Sequence, residues 1–497
     1  MRSIASKTVG FVAGSERKIR VAPLLSLLLL APALSGCILG SERPELNLEI
    51  PNNYREASSR APDAALPVLD WWRGFRSTEL TELMKKAQIA NLDIAVAVAQ
   101  IIQADALVGV AGAPLLPSVT GTGTAERIHN SSSSIGGGSS PSTTFSQFNL
   151  SLTASYMVDF WGKNRAALYA AEESASVARY NREVVTLTTI VTVANTYFQV
   201  LAAQDEIQVA RRNLAAAESV LTLIKQQFAG GTASQLDLSQ QEAQVGIQRA
   251  SIPPLEVTLQ QNIAALALLV ARAPANFKVV GGTTKQIAVP RVTPGLPSEL
   301  LYQRPDIRQA EAQLASSNFS VEVARAAFFP QIQLTAQTGV QSAALASLFG
   351  PGAWFYTLAS SLTQPLFDGF LLESQLKQAK GVQLQFLQAY RKAVLSAFVD
   401  VENALVALAK FTLQEKLQTE VVTASRKAFE VSETQYRGGT VNLLTVLQTQ
   451  QTLFTAENVL VQVRLSKLLA ASSLFQALGG GWTPGGTLAS LQPQGQN

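Results

Sequence analysis

The chain has 497 residues, of which 47 % are apolar and only 15 % charged, against the ~25 % charge usual in soluble domains. This composition excludes a disordered chain and disfavours a highly charged soluble coiled coil. One Cys and one His are too few ligands for a structural zinc site or a disulfide framework. Acidic residues could still hold Ca²⁺ or Mg²⁺, but the sequence contains no ligand loop of that kind, so we expect no metal or cofactor.

The net charge of +4 comes from the N-terminus. Residues 1–36 contain five basic residues and one acidic residue, so the remaining body has 34 of each sign. A neutral body gives no electrostatic reason to expect a nucleic acid as partner.

The N-terminus has the layout of a secretory signal, in which basic residues precede an apolar run over residues 21–34. The run ends in Leu34-Ser35-Gly36-Cys37, which resembles the bacterial lipoprotein signal. We therefore expect residues 1–36 to be removed and Cys37 to be lipidated; the alternative is a signal-anchor helix with an incidental Cys. Ile38, where Asp would indicate inner-membrane retention, favours the outer membrane by the same resemblance. The long basic region leaves open a start codon further downstream.

The body consists of two similar copies of one unit. Matched segments recur in the same order at offsets between 207 and 213 residues, which makes chance unlikely as their cause. The pairs are Asn91-Leu92-Asp93-Ile94 with Arg304-Pro305-Asp306-Ile307, Phe160-Trp161-Gly162 with Phe367-Asp368-Gly369, and Phe228-Ala229-Gly230-Gly231-Thr232 with Tyr436-Arg437-Gly438-Gly439-Thr440.

Each copy is predicted to contain a helix, two strands, a long helix, a Gly-Gly tip and a final helix. In residues 79–272 the predicted elements are a helix over 79–111, strands 117–126 and 147–158, a long helix 166–229, a tip 230–233 and a helix 234–272 interrupted at Pro253-Pro254. In residues 304–478 they are a helix, strands 331–341 and 353–364, a long helix 371–437, a tip 438–441 and a helix 442–478. Outside the copies lie an extended N-terminal segment (37–78), an equatorial linker (273–303) and a C-terminal tail (479–497).

The predicted strands alternate strictly between apolar and polar side chains, which indicates one face of each kind. Segments of about ten residues with aromatic side chains near their ends are typical of transmembrane barrel strands. A sandwich strand with a solvated outer face is the alternative, but the polar positions are almost uncharged and the strands occur in isolated pairs. A Ser- and Gly-rich stretch from His129 to Thr144 is predicted to be a solvated loop.

No segment after the signal has the ~18 consecutive apolar residues that span a bilayer as a helix, so any crossing must use strands. Four strands cannot close a barrel, and an open edge in lipid leaves backbone groups unsatisfied. Several chains must therefore pool their strands: two copies would give eight and three would give twelve.

The long helices carry apolar residues at coiled-coil spacing. In the second copy the predicted seam is Leu387, Tyr390, Val394, Ala397, Val401, Ala404, Leu408, Phe411, Val422, Ser425, Phe429, Ser432 and Tyr436. Other positions are largely Ala, Ser, Thr and Gln, which favours a closed ring of helices over a two-helix hairpin exposed to solvent.

A signature around the second copy carries a family resemblance. Leu296-Pro297-Ser298-Glu299-Leu300-Leu301, followed by Arg304-Pro305-Asp306-Ile307 and Ala310-Glu311, resembles the bacterial outer membrane efflux proteins, the TolC-like family, in its lipoprotein branch that serves resistance-nodulation-division pumps. The resemblance covers about residues 37–480. It implies a mixed α/β membrane protein: a homotrimer whose 12-stranded β-barrel, four strands per chain, is continued by an α-helical coiled-coil barrel.

The resemblance also implies where partners bind. Gly230, Gly231, Thr232, Gly438, Gly439 and Thr440 would form the periplasmic entrance, where a periplasmic adaptor (membrane fusion) protein docks and links to an inner-membrane pump. Glycines also cap helices, and the sequence does not separate the two roles. Many relatives have acidic residues after the second tip; here Thr445 and Gln448 stand there, the first copy has Asp237, and Arg437 could contribute to a different latch. These four residues are the candidate constriction.

The predicted function is passive conduction of small molecules through the outer membrane, as one part of a tripartite efflux system. The alternatives are the outer membrane channel of a type I protein secretion system and a non-conducting structural lipoprotein. An enzyme is not expected, because Asp306 and Glu311 do not share a helix face and Asp306 is better placed to start a helix.

Overall fold

The computed structural model describes residues 45, 50–51, 54, 69–130, 143–290, 292 and 297–482. The signal, Cys37, most of the predicted N-terminal segment and the tail beyond residue 482 lie outside the described residues.

The first repeat begins after a short 3₁₀ helix, Trp71–Phe75. Its elements are α1 (Thr78–Ala90), α2 (Leu92–Gly112), β1 (Ser118–Asn130), β2 (Thr143–Val158), α3 (Lys163–Ala229), α4 (Gln235–Ala250) and α5 (Ile252–Leu269). The second repeat contains α6 (Pro297–Gln303), α7 (Pro305–Ala326), β3 (Gln331–Ser342), β4 (Trp354–Thr363), α8 (Leu371–Arg437) and α9 (Leu443–Ala477). The predicted internal duplication is confirmed, because α2, β1, β2 and α3 recur in order as α7, β3, β4 and α8.

The predicted single helix over 79–111 is wrong, because the chain breaks at Asn91. The Asn91 side-chain oxygen accepts hydrogen bonds from the backbone N–H groups of Asp93 and Ile94, and its amide donates to the Leu269 carbonyl. A side chain that caps a new helix competes with continuation of the old one. The matched Asn91 and Arg304 segments are therefore the starts of equivalent helices, α2 and α7.

Other predicted bounds need correction. The strands predicted as 117–126 and 147–158 extend to Asn130 and back to Thr143, and the predicted loop residue His129 pairs across strands with Thr144. β3, predicted as 331–341, ends one residue later. β4, predicted as 353–364, begins one residue later and ends one residue earlier. The helix predicted from 166 begins at Lys163 because the Asp159 carboxylate accepts from the first N–H groups.

The helix after the first tip divides at Ser251, and the proline pair lies in the first turn of α5, where a missing N–H costs nothing. The predicted linker 273–303 contains a helix, α6, and two 3₁₀ turns. Gly479–Gly481, placed in the tail, form another 3₁₀ turn.

Two helical stretches, Thr78–Leu115 and Lys163–Ala229, are long and apolar enough to cross a membrane by composition alone. The most apolar part of α3 is largely buried within the chain, which identifies a core helix. In Thr78–Leu115 only 11 % of the most apolar window is buried by the part of the chain that the structure describes.

The core lies around α3. One cluster joins the 3₁₀ helix, α1, the middle of α3 and the end of α9 through Trp71, Phe75, Leu80, Phe198 and Phe475. A second cluster joins α7, α8 and the end of α9, and a third lies between the lower parts of α3, α8 and α9.

Candidate functional site

The four strands form one antiparallel sheet in the order β1-β2-β3-β4. The register places Gly123, Leu150, Val340 and Trp354 side by side, and Ala125, Phe148 and Ser342 in the next row of that face. Because side chains alternate between faces, one face is mostly apolar, with Thr338, Ser342 and Ser360 as its polar exceptions. The predicted alternation therefore keeps its register across the sheet, although it is not strict.

The opposite face is polar and hydrogen-bonded. Thr122 and Gln337 both contact the Ser151 hydroxyl, at 3.0 and 3.1 Å. Ser151 pairs with Gly339, where an added Cβ would lie 2.3 Å from the Leu150 carbonyl oxygen. Glycine at 339 therefore permits a close approach that packs the polar layer. The polar members of this face include Thr120, Thr122, Thr124, Asn149, Ser151, Thr153, Ser155, Gln333, Thr335, Gln337, Gln341 and Thr357, and its apolar exceptions are Met157, Phe355 and Ala359.

The helices pack in a linear order with two open edges. Near the sheet, α2 packs on α3, α3 on α7 and α7 on α8. Towards the tips, α4 and α5 pack on α3, α3 on α9 and α9 on α8. The edge helices expose large apolar side chains. On α2 these are Leu92, Val96, Val98, Ile102, Leu107 and Val110; on α4 and α5 Leu236, Ile247, Val257 and Leu268; and on α8 Leu395, Val399, Leu413, Leu417 and Val421.

The two tips are the same structure built twice. Gly231 and Gly439 have φ of +75° and +74°, and the following threonines donate from N–H to the carbonyls of Gln227 and Gln435, at 2.8 and 2.9 Å. The N–H groups of Gly231 and Gly439 also donate to the carbonyls of Phe228 and Tyr436, three residues before each glycine. This pair of bonds makes each tip a Schellman cap. The hydroxyls of Thr232 and Thr440 bond to the same carbonyls.

The four tip glycines are not equivalent. Gly231 and Gly439 need a left-handed backbone, whereas Gly230 and Gly438 have φ of −82° and −83°. An added Cβ at Gly230 or Gly438 would meet only backbone carbonyl oxygens of the preceding turn, at 3.6 Å or more, which is ordinary van der Waals contact. The cap therefore requires the second glycine of each pair, and no contact among the described residues requires the first.

The candidate constriction residues have local partners. Asp237 completes a capping box with Ser234, accepting from its N–H at 2.9 Å. Thr445, at the equivalent position, donates to the Asn442 side chain that caps α9, and Arg437 pairs with Glu433 at 2.7 Å. Gln448 is exposed one turn further along α9. The Ser-x-x-Asp spacing is a recognised helix-start signal, so this role could have been predicted from the sequence.

The tips of the two repeats share one apolar cluster, against which Ala233 and Leu238 pack from the first repeat and Tyr436 from the second. Burial and the neighbouring Asp237 carboxylate raise the pKa of Tyr436. Asp237 and Tyr436, from different repeats, are thus brought together, and this contact was not predicted.

A buried arginine joins three helices near the sheet-side end of α9. Arg304 donates to Asp306 at 2.7 Å, to Asp400 on α8 at 3.0 Å and to the Ala477 carbonyl on α9. Burial alone would lower the pKa of Arg304, but the two carboxylates outweigh it and the pKa is raised. Asp306 lies in the first turn of α7, as predicted, and its second role as an ion-pair partner was missed.

The model of the outer membrane efflux protein family matches residues 83–272 and 296–480. The chain belongs to this family. The predicted membership, outer membrane localisation and role as the outer membrane component of an efflux system are confirmed, and the family is one of efflux proteins rather than enzymes.

Two curated relatives and one solved structure illustrate the similarity. The pyoverdine export outer membrane protein OpmQ of Pseudomonas aeruginosa is 37 % identical over 90 % of this chain and 96 % of that protein. The probable outer membrane lipoprotein SilC of Salmonella typhimurium is 28 % identical over 90 % of this chain and 96 % of that one. The open state of the MtrE outer membrane channel of Neisseria gonorrhoeae has a TM-score of 0.78, with 28 % identity over 89 % of this chain and 98 % of that chain.

Proposed function

We propose that this efflux protein works as a homotrimeric channel that conducts small molecules passively from a periplasmic adaptor and a resistance-nodulation-division pump to the cell exterior. The observation that carries the proposal is the pair of open edges. β1 and β4 each have one side without a partner strand among the described residues, and each unsatisfied backbone group in lipid costs several kcal/mol.

Ring closure satisfies the strand edges and the helix edges together. If β4 of one copy pairs with β1 of the next, α8 of the first lies beside α2 near the sheet and beside α4 and α5 towards the tips. Each of these surfaces exposes apolar side chains, so closure also removes apolar area from water at about 25 cal/mol per Å². Three copies give twelve strands, an even number within the range of bacterial barrels.

The polar face of the sheet then lines the channel and the apolar face contacts lipid. A lining of Ser, Thr, Asn and Gln offers hydrogen bonds with little charge, which supports weak discrimination between solutes and leaves selection to the pump. OpmQ, named for pyoverdine export, favours a siderophore as one substrate class to test beside drugs.

The tips support adaptor docking. Because the fold requires Gly231 and Gly439 but does not require Gly230 and Gly438, the first glycine of each pair is available for close approach by another protein. We propose that the adaptor contacts this surface. An alanine at both Gly230 and Gly438 should reduce efflux in cells while leaving single-channel conductance unchanged.

We propose that Cys37 carries a covalent lipid. It ends the predicted signal in Leu34-Ser35-Gly36-Cys37, and the relative SilC is named a probable outer membrane lipoprotein. Cys37→Ser should abolish incorporation of labelled palmitate.

Conductance in planar bilayers separates a channel from a non-conducting structural lipoprotein. The proposal predicts stable conductance from the purified protein, and its absence from correctly assembled protein would favour a scaffold. Deleting the gene then separates the two channel roles: drug or siderophore efflux should fall, whereas a loss of protein secretion alone would indicate type I secretion.

A further inference from the structure

The loop between β3 and β4 is apolar and uncharged over residues 342–353, and it lies at the end of the sheet away from the helices. Leu345 and Phe349 expose 65 % and 78 % of their surface. Large exposed apolar side chains at a sheet end need an explanation. We propose that this loop inserts Leu345 and Phe349 into the outer leaflet at the boundary between acyl chains and headgroups. This proposal rests on the proposed function, because it requires the sheet to span the membrane.

The strand register gives the level of the loop. Ala125, Phe148 and Ser342 lie in one row, and Glu126 and Arg127, the first charged residues of the sheet, follow directly on β1. From Val158 to Phe148 is ten residues, which at 3.3 Å per residue and a tilt of about 45° gives a height of about 23 Å. This matches the ~25 Å apolar band of a membrane barrel. The loop therefore begins where the apolar band ends.

The loop surface is continuous with the apolar face. Val340 and Trp354 are paired on that face beside the loop, and the rings of Trp354 and Tyr356 lie 5.3 Å apart. The Trp354 N–H donates to the Thr338 hydroxyl at 3.1 Å. An amphipathic aromatic pair is typical of the interfacial level of a membrane.

The polar groups of the loop are largely satisfied internally. The Ser342 and Ser347 hydroxyls bond to each other at 2.6 Å, and the Ala344 N–H donates to Ser342. The N–H groups of Ser347, Leu348, Gly350 and Ala353 all donate to carbonyls within the loop. Water would not demand this internal pairing, whereas a poorly hydrated boundary does.

The other hairpin is built differently. β1 and β2 remain paired for five rows beyond Phe148 and carry Glu126, Arg127 and His129. Their charge and extra length, about 16 Å along the strand, place these outer ends of β1 and β2 in water. The described ends of the two strand pairs therefore meet different media, and the β3–β4 loop is the one that fits lipid.

Spin labels on introduced cysteines test the proposal in the full-length protein in lipid vesicles. Phe349→Cys and Leu345→Cys are compared with Leu358→Cys on the apolar face and His129→Cys on the extended hairpin; labelling of the unsubstituted chain measures any contribution from Cys37. Collision with oxygen reports lipid, and collision with a water-soluble nickel chelate reports water. We expect the oxygen-to-nickel ratio at 345 and 349 to be several-fold above that at 129 and below that at 358.

Ratios at 345 and 349 equal to that at 129 would overturn the proposal. So would strong spin–spin broadening between copies at 349, which would show that the loops meet over the channel mouth. If Leu358→Cys itself reports water, the sheet does not face lipid and the proposed function fails instead. Two loop positions are labelled so that the test can still be read if one of the two substitutions disturbs folding.

Discussion

At the residue scale, Gly231 has a left-handed backbone conformation and Gly230 a right-handed helical one. Gly231→Ala forces a Cβ into a left-handed conformation, which costs about 1–2 kcal/mol, and we expect the free energy of unfolding to fall by that amount. Gly230→Ala keeps an ordinary helical conformation and should match or slightly exceed the parent. Chemical denaturation of the two variants in detergent is the measurement, and equal losses would show that the cap is misassigned.

Arg304 supplies the cation that the Asp306 and Asp400 carboxylates share. Arg304→Gln leaves Asp306 and Asp400 without their shared cation, and we expect a loss of about 2 kcal/mol, below the 3–5 kcal/mol of a fully buried pair because both carboxylates are partly exposed. Arg249→Gln is the control, since its partner Glu218 and the arginine are both exposed. Its cost should stay within about 0.5 kcal/mol, and similar costs for both would contradict this role for Arg304.

At the element scale, Glu415 ties α8 to α9. Its carboxylate accepts from Lys467 at 2.8 Å and from Arg464 at 3.1 Å. Burial acts to raise the pKa of Glu415, but these two cations outweigh it and the pKa is lowered. Because the folded-state pKa lies below the unfolded one, this stabilisation is present at neutral pH and is lost as the pH falls through the folded-state value.

Denaturation midpoints of the parent and Glu415→Gln between pH 7 and pH 3 test this. We expect the variant to be less stable at pH 7 and the difference to vanish at the acid end. Glu206→Gln is a control of opposite sign, because burial raises the pKa of Glu206 and its ionisation costs stability as the pH rises. The same pH trend in both variants would refute the assignment.

The seam of α8 could be predicted from sequence because α8 lies at the edge of the row of helices. It packs against neighbours on one side only, α7 near the sheet and α9 towards the tips. Its ten buried residues are all among the thirteen predicted. Apolar spacing describes α3 less well, since α3 contacts helices on several sides and buries residues such as Val193, Val200 and Val209. Periodicity identifies a buried stripe well and a fully surrounded helix poorly.

The break at Asn91 and the strand ends were missed for another reason. Asn91 is polar and stands in an otherwise continuous helical pattern. Its side-chain oxygen caps α2 locally, and its side-chain amide also donates to the carbonyl of Leu269, which is distant in sequence. The ends of β1 and β2 are polar and were assigned to a loop, because cross-strand pairing of polar residues leaves no apolar alternation. Tertiary contacts decide both cases.

At the scale of the whole molecule, the duplication and the number of strands per chain followed from sequence, while the spatial arrangement of strands in the sheet and of helices beside one another did not. The sheet order β1-β2-β3-β4 and the linear helix order place one open edge on each repeat. An account in which a single chain is a complete protein leaves these edges unexplained. An account in which copies close a ring explains strands and helices together.

Electron cryomicroscopy of the protein in lipid nanodiscs tests ring closure most directly. The account predicts three copies, with β4 of each chain paired to β1 of the next in a twelve-stranded barrel and α8 packed beside the neighbouring α2. A single copy whose four strands are covered by its own chain, or a water-soluble monomer that does not enter the nanodisc, would contradict it.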